Sequence, residues 1–235
     1  MLEQSKATLR EYSNESLLFI QKIKELEDKS LREGVQHVRE YLNSLKGLVP
    51  VYLYGVIEKT LTVLFNEFFD TIKSYDLSYV QISSELYPFI FTNELNSFKS
   101  VSIAKSNNLS KIAKIYEKIH HDDKILDLKL DYINQNITNC WSKVLIDIYN
   151  LFSIDLEMNR LDQIAIDEIV EKRNAVAHGR EKPTVAYVKT ANVIIERHAL
   201  VIRILDSCIQ KLETYLTDKL YIKALYTTKI DNSLK

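Results

Sequence analysis

An all-α fold, a bundle of antiparallel helices, is what this sequence predicts, and three observations carry the prediction. Residues that punctuate turns are scarce: 235 residues hold only 4 Gly and 3 Pro. Apolar residues recur at three- and four-residue steps along most of the chain, the period of a helix with one buried face. Leu, Ile and Lys are abundant, and at 46% hydrophobic the chain can bury a sizeable core, enough for one large domain or a domain with an extension.

Taken in order, residues 1–33 form a helix whose irregular stripe is Leu9, Leu17, Phe19, Ile20, Ile23 and Leu26, with Gly34 as a break. We read 1–34 as an N-terminal helical extension that packs on the domain or on a second chain, and 35–226 as the main helical domain. Residues 35–74 give one or two helices, Gly47 and Pro50 marking a break or a kink. Residues 75–108 lack a clear period and read as short helical turns and loops around Pro88. Asn108 or Ser110 is a candidate cap for a helix over 111–119, on which Lys111, Lys114 and Lys118 share a face. With Lys99 and Lys105 this is the most basic segment, and a solvated face is its simplest reading.

His120, His121, Asp122 and Asp123 are metal-ligand types, but adjacent side chains point about 100° apart on a helix and rarely converge on one ion. Asp122 or Asp123 as a helix cap explains the run more simply. Residues 124–152 read as one helix, with Leu126, Leu130, Ile133, Ile137, Trp141, Leu145 and Ile148 in its stripe. A connector over 153–159 precedes the helix discussed next. Thr184 is a plausible cap for a last long helix that starts with Val185 and Val188, and 227–235 read as a frayed tail.

Charge and cysteine use bound the function classes. Lys plus Arg is 31 against 32 Asp plus Glu, a net charge of −1, so nucleic acid would have to be met by a local patch. Cys140 and Cys208 have no metal-ligand or redox spacing and suit a reducing cytoplasm as small buried hydrophobes. The longest uncharged run, 47–57, is too short to cross a bilayer, and the polar start does not read as a signal peptide. A cytoplasmic protein without a membrane partner is expected.

The chain is organised around residues 162–180, an amphipathic helix ending at Gly179, the residue that most easily takes the left-handed conformation. On a helical wheel Ile166, Val170 and Ala177 lie within roughly 60° of Arg173 on one side, and Ile169 and Val176 on the other. Arg173 therefore sits in the middle of an apolar stripe. Asn174, Asp167, His178 and Glu171 share a polar face, with Asn174 and His178 one turn apart. A guanidinium aimed at a core needs a carboxylate or a cleft. On the second apolar helix Glu58 lies within roughly 60° of Val51, Tyr54, Leu61, Phe65 and Phe69, again a lone charge in a buried stripe. The two helices are thus expected to meet through a buried or half-buried Glu58–Arg173 pair.

Arg173-Asn174-Ala175-Val176-Ala177-His178-Gly179 resembles the signature of the HEPN superfamily of helical domains: an Arg, a polar residue, then a His after four to six residues. Ile169-Val170 before it, the Ala-His-Gly ending, Tyr54-Gly55-Val56-Ile57-Glu58 and Ser106-Asn107-Asn108-Leu109 are similar to segments of bacterial stand-alone HEPN-like nucleases. The likeness covers roughly residues 45–215 in layout, and only the motif helix is specific. Arg180 stands where HEPN toxins paired with nucleotidyltransferase antitoxins usually carry a Tyr, which puts silencing by modification of that Tyr in doubt.

The resemblance implies a homodimeric, metal-independent endoribonuclease, a hydrolase acting by 2′-hydroxyl attack. It further implies a toxin or antiphage defence effector, with an antitoxin or neighbouring defence protein as partner. It requires no cofactor and no metal. In that reading His178 is general base or acid, the fixed fork of Arg173 meets the phosphate, and Asn174 orients His178 or holds a phosphate oxygen. Glu58 and Glu171 support them, and Arg180 and Lys182 add positive charge toward RNA. The alternatives are a non-catalytic HEPN module binding nucleotide, RNA or a protein partner, and a structural helical adaptor.

Overall fold

A computed structural model describes residues 1–33, 36–92, 95, 106–120, 128 and 130–227. The described elements are α1 (Glu3–Glu33), α2 (Gln36–Lys73), a 3-10 turn (Ser84–Leu86), α3 (Tyr87–Ile90), α4 (Ser106–His120), α5 (Asp131–Ile137), α6 (Ser142–Leu151), α7 (Arg160–Ala177), α8 (Pro183–Ala186) and α9 (Ala191–Thr217). Among the described residues β pairing is limited to one isolated bridge, Ile82 to Ile222. The all-α expectation holds.

The bundle is built on α2. Leu53, Tyr54, Val56, Ile57, Leu61, Leu64, Phe65, Phe68, Phe69 and Ile72 are each at most 2% exposed. On a helical wheel they fill a face wider than half the circumference, with exposed Tyr52, Lys59 and Asp70 on the side left over, the pattern of a helix packed on several neighbours at once. By length and composition alone α2 could cross a membrane, but its apolar side chains are spent on the protein core. It also runs unbroken through Pro50, where a break or kink was expected. A proline inside a helix costs about 3 kcal/mol, while each fully buried large apolar side chain contributes about 1.5–3 kcal/mol, so the buried faces decide. Around its C-terminal half, Phe68, Phe69, Phe89, Phe152 and Tyr215 pack ring against ring.

Ion pairs and caps fix the helix directions. Glu67, late in α2, accepts from the Gln4 and Ser5 amides at 3.1 and 2.8 Å and so caps the start of α1. Glu27, late in α1, pairs with Lys46 early in α2 and accepts from the Ala191 amide at 2.8 Å, capping α9. His198 of α9 meets Ser13 and Ser16 of α1, and Lys6 meets Glu213 at 2.7 Å. Hence α1 is antiparallel to both α2 and α9. Likewise Asp162–Arg203 and Glu168–Arg197 make α7 antiparallel to α9.

Several boundaries differ from the sequence reading. Residues 124–152 are not one helix: α5 and α6 are separated at Thr138-Asn139-Cys140-Trp141. The Tyr54 hydroxyl accepts from the Cys140 amide at 2.9 Å, and Asp167 of α7 accepts from the Ser142 amide at 2.8 Å. Those partners satisfy the donors that a continuous helix would have used. The last long helix begins at Ala191, not near Val185, and Lys182 rather than Thr184 precedes the short α8. Val185 and Val188 are exposed. The helix expected over 111–119 runs Ser106–His120, with Asn108 and Ser110 inside it. Gly34, Lys99, Lys105, His121, Asp122, Asp123, Leu126 and residues 228–235 lie outside the described residues.

Candidate active site

The site grows from the end of α7. Asn159 caps its start, accepting from the Leu161 and Asp162 amides at 2.8 and 3.0 Å. Ala165, Ile166, Ile169 and Val170 are buried, as the stripe requires. The helix then stops in a Schellman turn: Gly179 has φ +68°, its amide donates to the Val176 carbonyl at 3.1 Å, and the Arg180 amide donates to Ala175 at 2.8 Å. His178 is the C-cap and is exposed, its backbone amide donating to the Asn174 carbonyl.

Arg173 is half-buried at 25% exposure and faces Glu58 at 3.8 Å, so the expected inter-helix pair is present, as a loose one. What holds the guanidinium is instead a face and an amide. Its Cζ lies 4.2 Å from the centroid of the Tyr54 ring, in cation–π contact. Its Nη1 donates to Asn174 Oδ1 at 2.8 Å. The ring beneath it is fixed in turn, because the buried Tyr54 hydroxyl donates to the Ile137 carbonyl at 2.9 Å while accepting from Cys140. Burial pushes that hydroxyl up to about 12, so it stays a neutral donor and acceptor.

Asn174 lies 9% exposed and does not orient His178. Its carbonyl oxygen takes Arg173, and its Nδ2 donates to Asn139 Oδ1 at 3.1 Å. Thus Arg173, Asn174 and Glu58 come together, with His178 on the next turn. Glu171 is directed to Arg180 at 3.4 Å, both about half exposed. Lys182 is exposed where the chain leaves the motif. That exit is held on α2 at Gly47, where a Cβ would lie 1.8 Å from the Pro183 carbonyl oxygen. Sequence reasoning missed Asn139 and the role of Tyr54; the Tyr54-Gly55 segment was noticed, but the turn that meets it was read as helix.

Two further grooves lie elsewhere. A cavity of about 760 Å³ between α1 and α9 is lined in part by Arg10, Asn14, His198 and Arg203. A smaller one of about 370 Å³ between α1 and α2 is lined by Tyr12, Glu15, Leu48, Val51, Tyr52 and Gly55, and ends one turn short of Glu58. Neither is lined by Arg173 or His178. Among the described residues no three His, Cys, Asp or Glu side chains converge as a metal site. Cys140 and Cys208 are buried free thiols, each pushed up to about 12 by burial.

The model of the HEPN_MAE_28990-like HEPN family matches residues 3–221, nearly the whole chain. No curated protein and no solved structure matches it.

Proposed function

The chain belongs to the HEPN_MAE_28990-like HEPN family, and from that premise we propose that it is an endoribonuclease that cuts RNA through attack by the substrate's own 2′-hydroxyl. The observation that carries the reading is the Arg173 guanidinium, stacked on Tyr54 and bonded through one nitrogen to Asn174, beside the exposed His178. A phosphate that meets it finds an always-charged fork already oriented.

In the proposed reaction the 2′-oxygen attacks phosphorus, and His178 takes the hydroxyl proton as general base. The O2′–P bond forms and the P–O5′ bond breaks. The departing 5′-oxygen takes a proton from an imidazolium, and Arg173 stabilises the charge on the phosphoryl oxygens. The products are a 2′,3′-cyclic phosphate and a 5′-hydroxyl. No metal or cofactor enters these steps. Lys182 and Arg180 would meet the flanking backbone; Arg180 must then be drawn from Glu171, a half-exposed pair that holds it weakly.

One His and one Arg are half of an acid–base site. A second copy across a two-fold axis supplies the other imidazole, since an isologous contact brings the same residues from both chains together. We therefore read the active form as a homodimer. We place it in the cytoplasm as a toxin or antiphage defence effector, held in check by an antitoxin or neighbouring defence protein. The net charge of −1 favours a second reading, a HEPN module that binds nucleotide, RNA or a protein without cutting.

The test is to incubate the purified protein, and its His178→Ala variant, with mixed cellular RNA in the presence of a chelator. Cleavage by the wild type leaving 2′,3′-cyclic phosphate ends, and its loss in the variant, is the expected result. Intact RNA with the wild type points to the binding module. Equal cleavage by both proteins rejects the role of His178.

A further inference from the structure

The amide chain beside Arg173 has only one possible polarity. A guanidinium can donate but never accept, so the Asn174 atom facing Arg173 Nη1 at 2.8 Å must be the oxygen. The Asn174 nitrogen then faces Asn139 at 3.1 Å, and the Asn139 atom that receives it must also be oxygen. Asn139 is therefore left with its NH2 group directed away from Asn174. The orientation of both amides follows from the charge of Arg173, not from which way each was drawn.

Asn139 is exposed, and the peptide that follows it is held at both its carbonyl and its amide. Its carbonyl accepts from the Trp141 amide at 3.1 Å, and the next amide, Cys140, donates to the Tyr54 hydroxyl at 2.9 Å. The same Tyr54 ring carries the guanidinium. Tyr54 thus fixes Arg173 with its face and the Asn139 turn with its hydroxyl. A donor held this firmly next to a cation is prepared for an anionic oxygen.

We propose that Asn139 is a substrate-binding residue, whose side-chain NH2 donates to a phosphate oxygen of the RNA strand that Arg173 engages. This deepens the ribonuclease reading and rests on RNA being the ligand of this site.

Two variants separate substrate contact from support of Asn174. Asn139→Asp keeps an oxygen for Asn174, so Arg173 keeps its relay, but it offers phosphate a carboxylate instead of a donor. Asn139→Ala removes both. Binding is read by fluorescence anisotropy with a 2′-O-methyl RNA oligonucleotide, which cannot undergo 2′-hydroxyl attack. Asn139→Asp should bind at least about tenfold more weakly than the wild type, the range of a charge-assisted hydrogen bond, and Asn139→Ala should also bind more weakly. Thermal unfolding of Asn139→Asp should match the wild type, because Asn174 keeps its acceptor, while Asn139→Ala should melt lower, because the buried Asn174 NH2 loses its partner.

Wild-type affinity in Asn139→Asp overturns the proposal, and with weakened Asn139→Ala it leaves Asn139 only as a support for Asn174. A wild type that binds the oligonucleotide but leaves ordinary RNA uncut removes the ribonuclease reading, while the Asn139 contact is still judged by the two variants. A wild type that does not bind RNA overturns both.

Discussion

Two of the ion pairs that tie helix α7 to its neighbours sit at opposite ends of it and are built differently. Near its start Asp162 meets Arg203 of α9 at 2.6 Å, with the carboxylate 4% exposed and the arginine 59% exposed. Near its end Arg173 meets Glu58 of α2 at 3.8 Å, both partly exposed. In the first pair a solvated cation closes over a buried anion, which leaves the charges little else to do. In the second the cation is the inward group, positioned by Tyr54 and Asn174, and the carboxylate only balances it at a distance. Geometry, not the presence of opposite charges, separates a lock between helices from a cation positioned as the proposed site requires.

The sharpest way to break that contrast is to remove each arginine. Arg173→Ala should lower RNA cleavage by about 100-fold or more, the usual loss when a preorganised donor to transition-state charge is deleted, with little change in melting temperature. Arg203→Ala should do the reverse. It leaves the buried Asp162 carboxylate unpaired and should cost about 1–3 kcal/mol in denaturant unfolding, while cleavage stays near wild type. Equal loss of activity in both would erase the distinction.

Tyr54→Phe probes the support under Arg173. The ring remains, but the Ile137 carbonyl and Cys140 amide lose a buried partner. A stability loss of about 1–3 kcal/mol is expected in denaturant titration, with a smaller fall in cleavage than for Arg173→Ala.

His198 extends the comparison to a neutral buried partner. Burial between α1 and α9 holds His198 below its ordinary 6.5. Between that lowered value and 6.5 the unfolded chain binds a proton the folded chain does not, so stability should fall as pH drops below about 6.5. Denaturant midpoints measured across that range should show the fall, and His198→Gln should flatten it. The smallest effect is expected for Glu58→Gln. A loose, half-exposed pair contributes less than about 1 kcal/mol, so both unfolding midpoint and cleavage should change by only a few-fold in equilibrium or rate.

What the sequence disclosed follows from the range of the forces involved. The start and stop of α7 were readable because Asn159, the apolar stripe and Gly179 all act within a turn of themselves. The Glu58–Arg173 meeting was readable because each was a single charge in an otherwise apolar stripe. The break at Asn139 was not, because Ile133, Ile137, Trp141, Leu145 and Ile148 keep helical spacing straight through it and no Gly or Pro marks it. That turn is made by Tyr54, 86 residues before Cys140, and by Asp167, 25 residues after Ser142. The start of α9 was missed for the same reason, since its cap is Glu27, 164 residues away in the chain. Asn174 was assigned to the polar face beside His178, whereas it is buried and turned to Arg173, and its partner Asn139 could not be seen while that turn was read as helix.

Glu27 has a consequence for the whole molecule. One carboxylate neutralises Lys46, which is only 7% exposed, and also closes the first turn of α9. Cutting away the first helix would take the carboxylate from Lys46 and uncap a helix far along the chain. The opening thirty residues thus fasten the second helix and the last one through a single carboxylate.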